Sequence, residues 1–278
     1  VSMTTETVVI KGRHLGVRGV LLLVTLAIGL VFGSSRPVGE SYTFKFANPT
    51  KNHSISLVTW NICVAGNKNA RYPLDEFPLN FNQNALVNTK ACNQAMLREI
   101  NKRHLAEGFS PIVLPLSYGR LSPAMQVLVI VNAERTSRGL PPYVGVTTAL
   151  MSDSLIGAKS GKDPNPSNAD GNWIQFNSIW AGSYQNVLMA DYDWMYNDGW
   201  AGSSNNTINI DCHSPSGRGC WGHREGILAN YPVISNSELV AGAAVVTNGP
   251  SSLATPSIAA AFEEIQGPIR IAKTLPNP

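Results

Sequence analysis

The sequence predicts an α+β protein in which helices come first and strands follow. Three stretches between residues 122 and 196 have the apolar spacing and the end signals of helices. Residues 239–246 then form a nearly continuous run of small apolar residues, which is typical of a buried strand, and residues 257–265 and 269–272 are candidates for further strands. At 278 residues, of which 44% are hydrophobic, the chain can bury a sizeable core.

The first 36 residues have the organisation of an export signal. A basic stretch at residues 11–14 precedes an apolar run at residues 20–32, and small residues follow it. The run is short for a bilayer crossing. Residues 1–36 therefore predict either a cleaved signal peptide or a signal anchor that is lengthened to residues 15–33 while Arg18 reaches the membrane interface.

Charge is concentrated in that same segment. The net charge of the chain is +3, and residues 1–36 hold all of this excess. The remainder is neutral and lacks the basic stripe that binds a phosphate backbone. We therefore expect no nucleic-acid partner, and membrane contact only through an uncleaved N-terminal segment. No pattern indicates an oligomeric state.

Residues 37–118 are expected to form an N-terminal extension that contains a β-hairpin and a helix. Residues 42–47 alternate aromatic and polar side chains, and residues 54–64 are rich in Ile, Val, Trp and Thr after a turn-like segment. Residues 90–104 carry apolar side chains at helical spacing, and Gly108 follows as a stop signal.

The helices of the main domain have recognisable starts. Ser122 and Pro123 suit the N-cap and the first helical position, and the residues that follow are apolar nearly all round, as in a core helix. A weaker helical pattern covers residues 148–158. Another covers residues 184–195, and we predict Ser183 as the N-cap of that helix.

The cysteines form an even set: Cys63, Cys92, Cys212 and Cys220. Export implies an oxidising compartment and hence two disulfides, and of three connectivities sequence proximity favours Cys63–Cys92 and Cys212–Cys220. Cys212, His213, Cys220 and His223 are also candidates for a zinc site. Adjacent Cys212 and His213 cannot easily both point inward, so we predict a disulfide-closed loop and no metal.

Four motifs in the second half of the chain follow one another in order. They are Asn132-Ala133-Glu134-Arg135 with Gly139-Leu140-Pro141-Pro142, then Tyr184-Gln185-Asn186-Val187, then Trp194, and finally Gly222-His223-Arg224 with Ile227-Leu228. Together they resemble the CAP superfamily (cysteine-rich secretory, antigen 5, pathogenesis-related 1) in its bacterial, actinobacterial form. Gly226 stands where the family usually has asparagine. The resemblance covers roughly residues 122–265 of a domain that we place at residues 119–278.

The resemblance implies a three-layer α-β-α sandwich with a central, mainly antiparallel sheet and a cleft. In many family members two histidines and two acids line the cleft and hold a divalent cation. Here His223 matches one histidine, Gln185 replaces a glutamate, and no histidine lies between Leu140 and Ser183 to supply the other. An amide is no general base and brings no negative charge to a cation. We therefore expect no cofactor and a cleft better suited to binding than to hydrolysis.

The sequence thus predicts an exported binding module for a cell-envelope component, either a lipid or a glycan. The candidate binding residues are Gln185, Asn186, Trp194, His213, His223 and Arg224. The alternative is an extracellular hydrolase that uses His223 as its acid or base with Asp211 or Glu225, with or without a metal. A third hypothesis is a structural envelope protein whose cleft is filled. An open pocket lined by Gln185, Trp194 and His223 would favour binding, and a convergent set of His223 and carboxylates would favour catalysis.

Overall fold

The computed structural model describes residues 46–64, 86–167, 171–202, 209–217, 219–231, 236–247, 256–267 and 269–274. All of them belong to one compact unit, Gly39–Pro278. The predicted export signal, residues 1–36, lies outside the described residues. No helix within the described ranges is both long enough and apolar enough to cross a membrane.

The described residues form six α-helices, one 3-10 turn at Tyr118–Arg120, and a five-stranded sheet. The helices are α1 (Leu57–Cys63), α2 (Lys90–Ala106), α3 (Pro123–Thr136), α4 (Thr148–Ser160), α5 (Val187–Tyr196) and α6 (Gly222–Ile227). The strands are β1 (Gly145–Val146), β2 (Asn172–Gly182), β3 (Ser237–Val246), β4 (Ser257–Gln266) and β5 (Lys273–Thr274).

The sheet has the order β2-β4-β3-β1-β5 and is mainly antiparallel, with only the short β1 parallel to its neighbour β3. Odd-numbered positions of β3 and even-numbered positions of β4 pack with α3 and α5 in the main core. The intervening positions pack with Leu150 and Ala158 of α4. Because successive side chains of a strand point to opposite faces, α4 covers one face and the other helices the second. The predicted α+β class and α-β-α layering are confirmed.

The contact between α4 and β3 depends on one glycine. A Cβ atom at Gly242 would overlap the backbone of Leu150 and Met151. Gly242 therefore lets α4 lie directly on the sheet. This close packing fixes the beginning of α4 against β3.

The predicted second strand of the N-terminal hairpin is wrong. Residues 57–63 form helix α1, capped by the Ser56 side chain, which accepts from the amide of Thr59. Trp60 and Cys63 bury one face of this helix, and Cys63 is joined to Cys92 of α2. This packing outweighs the weak strand preference of the residue types. Of the predicted first strand, residues 42–45 lie outside the described residues.

The other helices agree with the sequence apart from one cap. Helix α3 begins with Pro123 after Ser122, whose side chain accepts from the Met125 amide. Helix α5 is capped by Asn186, whose side-chain oxygen accepts from the Leu188 amide. The prediction of Ser183 as its N-cap is therefore wrong. The strand predicted at residues 269–272 is wrong, since these residues are irregular. The adjoining Lys273–Thr274 forms the short strand β5.

Candidate functional site

His223 stands at the beginning of α6, on a backbone held by a constrained loop. The Cys212–Cys220 disulfide closes this loop as predicted, and the Cys63–Cys92 pairing is confirmed as well. Trp221 adopts a left-handed conformation with φ of 66°, and its amide donates to the Asp198 carbonyl. The loop therefore presents His223 beside the C-terminal end of α5.

A buried carboxylate fixes the orientation of the His223 ring. Asp198 Oδ1 lies 2.9 Å from His223 Nδ1, and Asp198 Oδ2 accepts from the backbone amide of His223 at 3.1 Å. Asn209 also donates to Asp198 Oδ1, at 2.8 Å. Since a carboxylate can only accept here, His223 carries a proton on Nδ1, and Nε2 is the nitrogen turned away from Asp198.

One further carboxylate comes close to that second nitrogen, and another lies near the ring. Asp163 Oδ1 lies 3.7 Å from His223 Nε2. Ligand atoms of Asp163, Asp211 and His223 all lie within 4.8 Å of one another. The Asp163 side chain is 43% exposed and that of His223 is 14% exposed. We call Asp163, Asp211 and His223, with Asp198 behind them, the His223 centre.

Four chain segments supply the His223 centre. Asp163 follows α4, where Gly161 turns the chain in a left-handed conformation. Asp198 follows α5, and His223 lies in α6. Asp211 directly precedes the loop that the Cys212–Cys220 disulfide closes. Gly219 lies so near the Asp211 carbonyl that a Cβ atom would overlap it. The centre is thus a product of tertiary packing.

The electrostatics of the centre are dominated by carboxylates. Burial lowers the pKa of His223, but Asp198 and Asp163 outweigh this effect and raise the pKa well above 6.5. Burial raises the pKa of Asp198, and His223 opposes it. Nearby Asp193 has a pKa raised to about 7, mainly by burial. Among the described residues of the centre, protonated His223 is the group that opposes this negative charge at neutral pH.

The predicted binding residues do not meet in one place. Gln185 and Trp194 are each 1% exposed, and Trp194 Nε1 donates to the Trp180 carbonyl, so both support the core. Asn186 caps α5 and donates to the Val87 carbonyl. The described residues therefore do not show the open pocket lined by Gln185, Trp194 and His223.

The remaining candidates divide between the core and the centre. Arg224 is 1% exposed and donates to the Met195 carbonyl and to Glu107. His213 is exposed and is not part of the His223 centre. Of the two carboxylates proposed for catalysis, Asp211 belongs to the centre, whereas Glu225 accepts from Asn48.

Sequence reasoning missed Asp163 and Asp198. Asp163 lies in a polar segment that contains two prolines, and Asp198 lies in Asn197-Asp198-Gly199, a sequence typical of the end of a helix. Both segments do follow helices, α4 and α5. An aspartate directly after a helix and another before a glycine give no signal of convergence, because turns use the same residues.

Comparisons with known proteins do not assign the chain to a family. No protein-family model matches the chain, and no curated protein matches it. A solved structure of a cysteine-rich secretory protein from Staphylococcus aureus is similar to it, with 12% sequence identity and a TM-score of 0.31. The similarity covers 51% of this chain and 38% of that one, so the chain spans well under half of that protein's length.

Proposed function

We propose that this chain is an exported, CAP-like protein whose His223 centre binds a divalent cation and, together with it, a polar group of a cell-envelope lipid or glycan. Two disulfides and an export-like N-terminal segment support a location outside the cytoplasm. The observation that carries the proposed site is the convergence of His223, Asp163 and Asp211 from three separate segments.

The residues present fit a metal ion by their chemistry. An imidazole nitrogen and two carboxylates are a donor set for zinc or manganese. His223 Nδ1 is hydrogen-bonded to Asp198. Histidines that bind metals are commonly oriented by such a carboxylate on their other ring nitrogen. Three protein ligands leave coordination positions for an oxygen of a ligand. This proposal departs from the sequence-based expectation of no cofactor, which considered the family positions and the set Cys212, His213, Cys220 and His223 but not Asp163.

The experiment is calorimetric titration of the metal-free protein with zinc and manganese at pH 8. We expect wild type to bind one ion and His223→Ala to bind at least tenfold more weakly, roughly the loss expected for one ligand. His213→Ala is the matched control, since it removes an exposed histidine outside the centre. Absence of ion binding in wild type, or equal binding by both histidine variants, would overturn the proposal.

A hydrolase remains the second candidate, because the centre is the convergent His–carboxylate set that this hypothesis requires. Asp198 holds the ring so that Nε2 could exchange a proton with a substrate. Release of soluble fragments from purified cell-wall material by wild type, lost in His223→Ala and kept in His213→Ala, would favour catalysis. Ion binding without such release would favour a binding protein.

A further inference from the structure

A cavity of about 370 Å³ lies apart from the residues of the His223 centre. Its wall is built by the segment before α1, the C-terminal part of α2 with the residues that follow it, and Arg224 of α6. None of Asp163, Asp198, Asp211 and His223 lines it. The volume is near the lower end of the range for small-molecule pockets, roughly 300–1,000 Å³.

One side of this cavity is apolar and aromatic. Phe46 and Phe109 meet edge to face with ring centroids 5.8 Å apart. Pro49 and Ala106 also line the cavity. The Arg138 guanidinium lies 4.9 Å from the centroid of the Phe109 ring and supports it. The cavity therefore offers a preformed surface for a flat or apolar group.

The other side carries an excess of positive charge. Arg103, Arg224 and Glu107 line the cavity. Glu107 Oε2 accepts from Arg224 and from Arg138, at 2.9 Å in each case, so two guanidiniums neutralise this one carboxylate. Among the described residues, no carboxylate lies within ion-pair distance of Arg103. The charge of Arg103 is thus uncompensated in this part of the chain.

Arg103 instead contacts a histidine that cannot balance its charge. Its Nη1 lies 2.8 Å from His53 Nδ1. Since a guanidinium can only donate, His53 Nδ1 accepts and the ring is neutral. Burial, Arg103 and Lys51 lower the pKa of His53, in agreement with this arrangement. His53 also lines the cavity, so its neutral ring adds a polar surface without negative charge.

We propose that this cavity binds a small organic anion, with an apolar body against Phe46 and Phe109 and its anionic head on Arg103. A guanidinium pairs with carboxylate and phosphate groups alike, which is the chemistry shared by the two possible kinds of head. The size of the cavity limits the body to a single ring or a short chain. The proposal concerns a different site from the His223 centre and does not depend on a bound cation.

The test uses calorimetric titration of the full chain with 3-phenylpropionate and with phenyl phosphate, and with neutral 3-phenylpropanol for comparison. We expect at least one anion to bind, and the alcohol to bind about tenfold more weakly, as loss of a charge-assisted hydrogen bond implies. Tighter binding of the carboxylate or of the phosphate identifies the head group. Failure of both anions to bind, or equal binding of the alcohol, would overturn the proposal.

Matched variants locate the site. Arg103→Gln is expected to weaken anion binding about tenfold. Lys102→Gln, which removes the same charge from the neighbouring exposed position outside the cavity wall, should change it by less than about twofold because solvent screens it. Equal losses in both variants would show non-specific charge attraction and contradict the proposed site.

A second variant tests the cavity itself. Ala106 is exposed at the end of α2 and lines the cavity, so Ala106→Trp should fill it without disturbing the core. We expect anion binding to be abolished while the melting temperature is unchanged. His223→Ala should bind the anion as wild type does. Retention of binding by a folded Ala106→Trp protein would contradict the proposal.

Discussion

Two histidine–carboxylate pairs in this molecule have similar geometry and opposite surroundings. His104 Nε2 lies 2.7 Å from Glu134 Oε2, and both side chains are completely buried. His223 Nδ1 lies 2.9 Å from buried Asp198. The other ring nitrogen of His104 faces the Ser110 carbonyl at 3.2 Å, whereas that of His223 faces exposed Asp163. The two pairs therefore differ at the second ring nitrogen: a backbone carbonyl occupies it in His104, whereas an exposed side chain faces it in His223. Only the second arrangement leaves a histidine that can bind or react.

The two pairs also differ in the charges of the groups that surround them. Burial alone would raise the pKa of Glu134, but Arg138 and His104 reverse the effect and lower the pKa to about 2. Arg138 Nη2 also pairs with Glu107 at 2.9 Å. The buried network thus carries its own cations. The His223 centre has more carboxylates than cations, and an added cation would relieve this imbalance.

The largest expected effect is on the buried pair. Glu134→Ala removes the buried carboxylate that pairs with both Arg138 and His104 and leaves Arg138 only its contact with the partly exposed Glu107, so we expect the free energy of unfolding to fall by about 3–5 kcal/mol. Urea unfolding measures it, with exposed Glu238→Ala as the control. His223→Ala should cost less, because Asp198 keeps its hydrogen bonds from Asn209 and from the backbone amide of residue 223. Similar losses in the Glu134 and His223 variants would remove the distinction between the two pairs.

The pH dependence of stability follows from the same shift. The pKa of Glu134 is about 2 in the folded protein, against a usual value of 4.5. This carboxylate therefore stabilises the fold above pH 4.5, and the contribution is lost as the pH falls toward 2. Urea midpoints between pH 2 and pH 6 should fall more steeply for wild type than for Glu134→Gln. Parallel pH profiles would contradict the assignment.

The sequence predicted structure best where a local pattern and the tertiary packing agree. Ser122 and Pro123 start α3, and the small apolar residues of β3 form a buried strand, as expected. Strand β2 was missed because its polar residues interrupt the apolar pattern, and only pairing with β4 satisfies its backbone. Helix α1 was mistaken for a strand because its buried face is decided by α2 and the Cys63–Cys92 disulfide.

The same rule explains the candidate site. The family motifs located His223, but the same motifs also selected Gln185 and Trp194, which are buried. Asp198 and Asp163 reach His223 only after α5, the loop after α4 and the loop before α6 have packed together. Such convergence over long sequence separations leaves no periodic signal. A single motif can therefore select a candidate histidine such as His223 without revealing its partners.

The two disulfides extend the comparison from the core to the site. Cys63–Cys92 spans 29 residues and Cys212–Cys220 spans 8. Loop-closure entropy predicts that alanine replacement of the first pair costs about 3.5 kcal/mol and of the second about 2.5 kcal/mol. Cation binding should weaken only in the Cys212–Cys220 variant, because Asp211 directly precedes that loop and Gly219 of the loop packs against the Asp211 backbone. Unfolding and calorimetry of both variants test this, and equal loss of cation binding would show that the loop does not position the site.

The smallest expected effect concerns Asp198. Although burial lowers the pKa of His223, Asp198 is the strongest group that raises it, so Asp198→Asn should shift the His223 titration to lower pH. NMR titration of the histidine ring protons, compared between wild type and Asp198→Asn, measures the shift. Above the His223 titration, where no proton competes, cation affinity should fall about tenfold. An unchanged His223 pKa in a folded variant would mean that Asp198 only anchors the backbone amide of His223, and the His223 centre would then lack the feature that separates it from the buried pair.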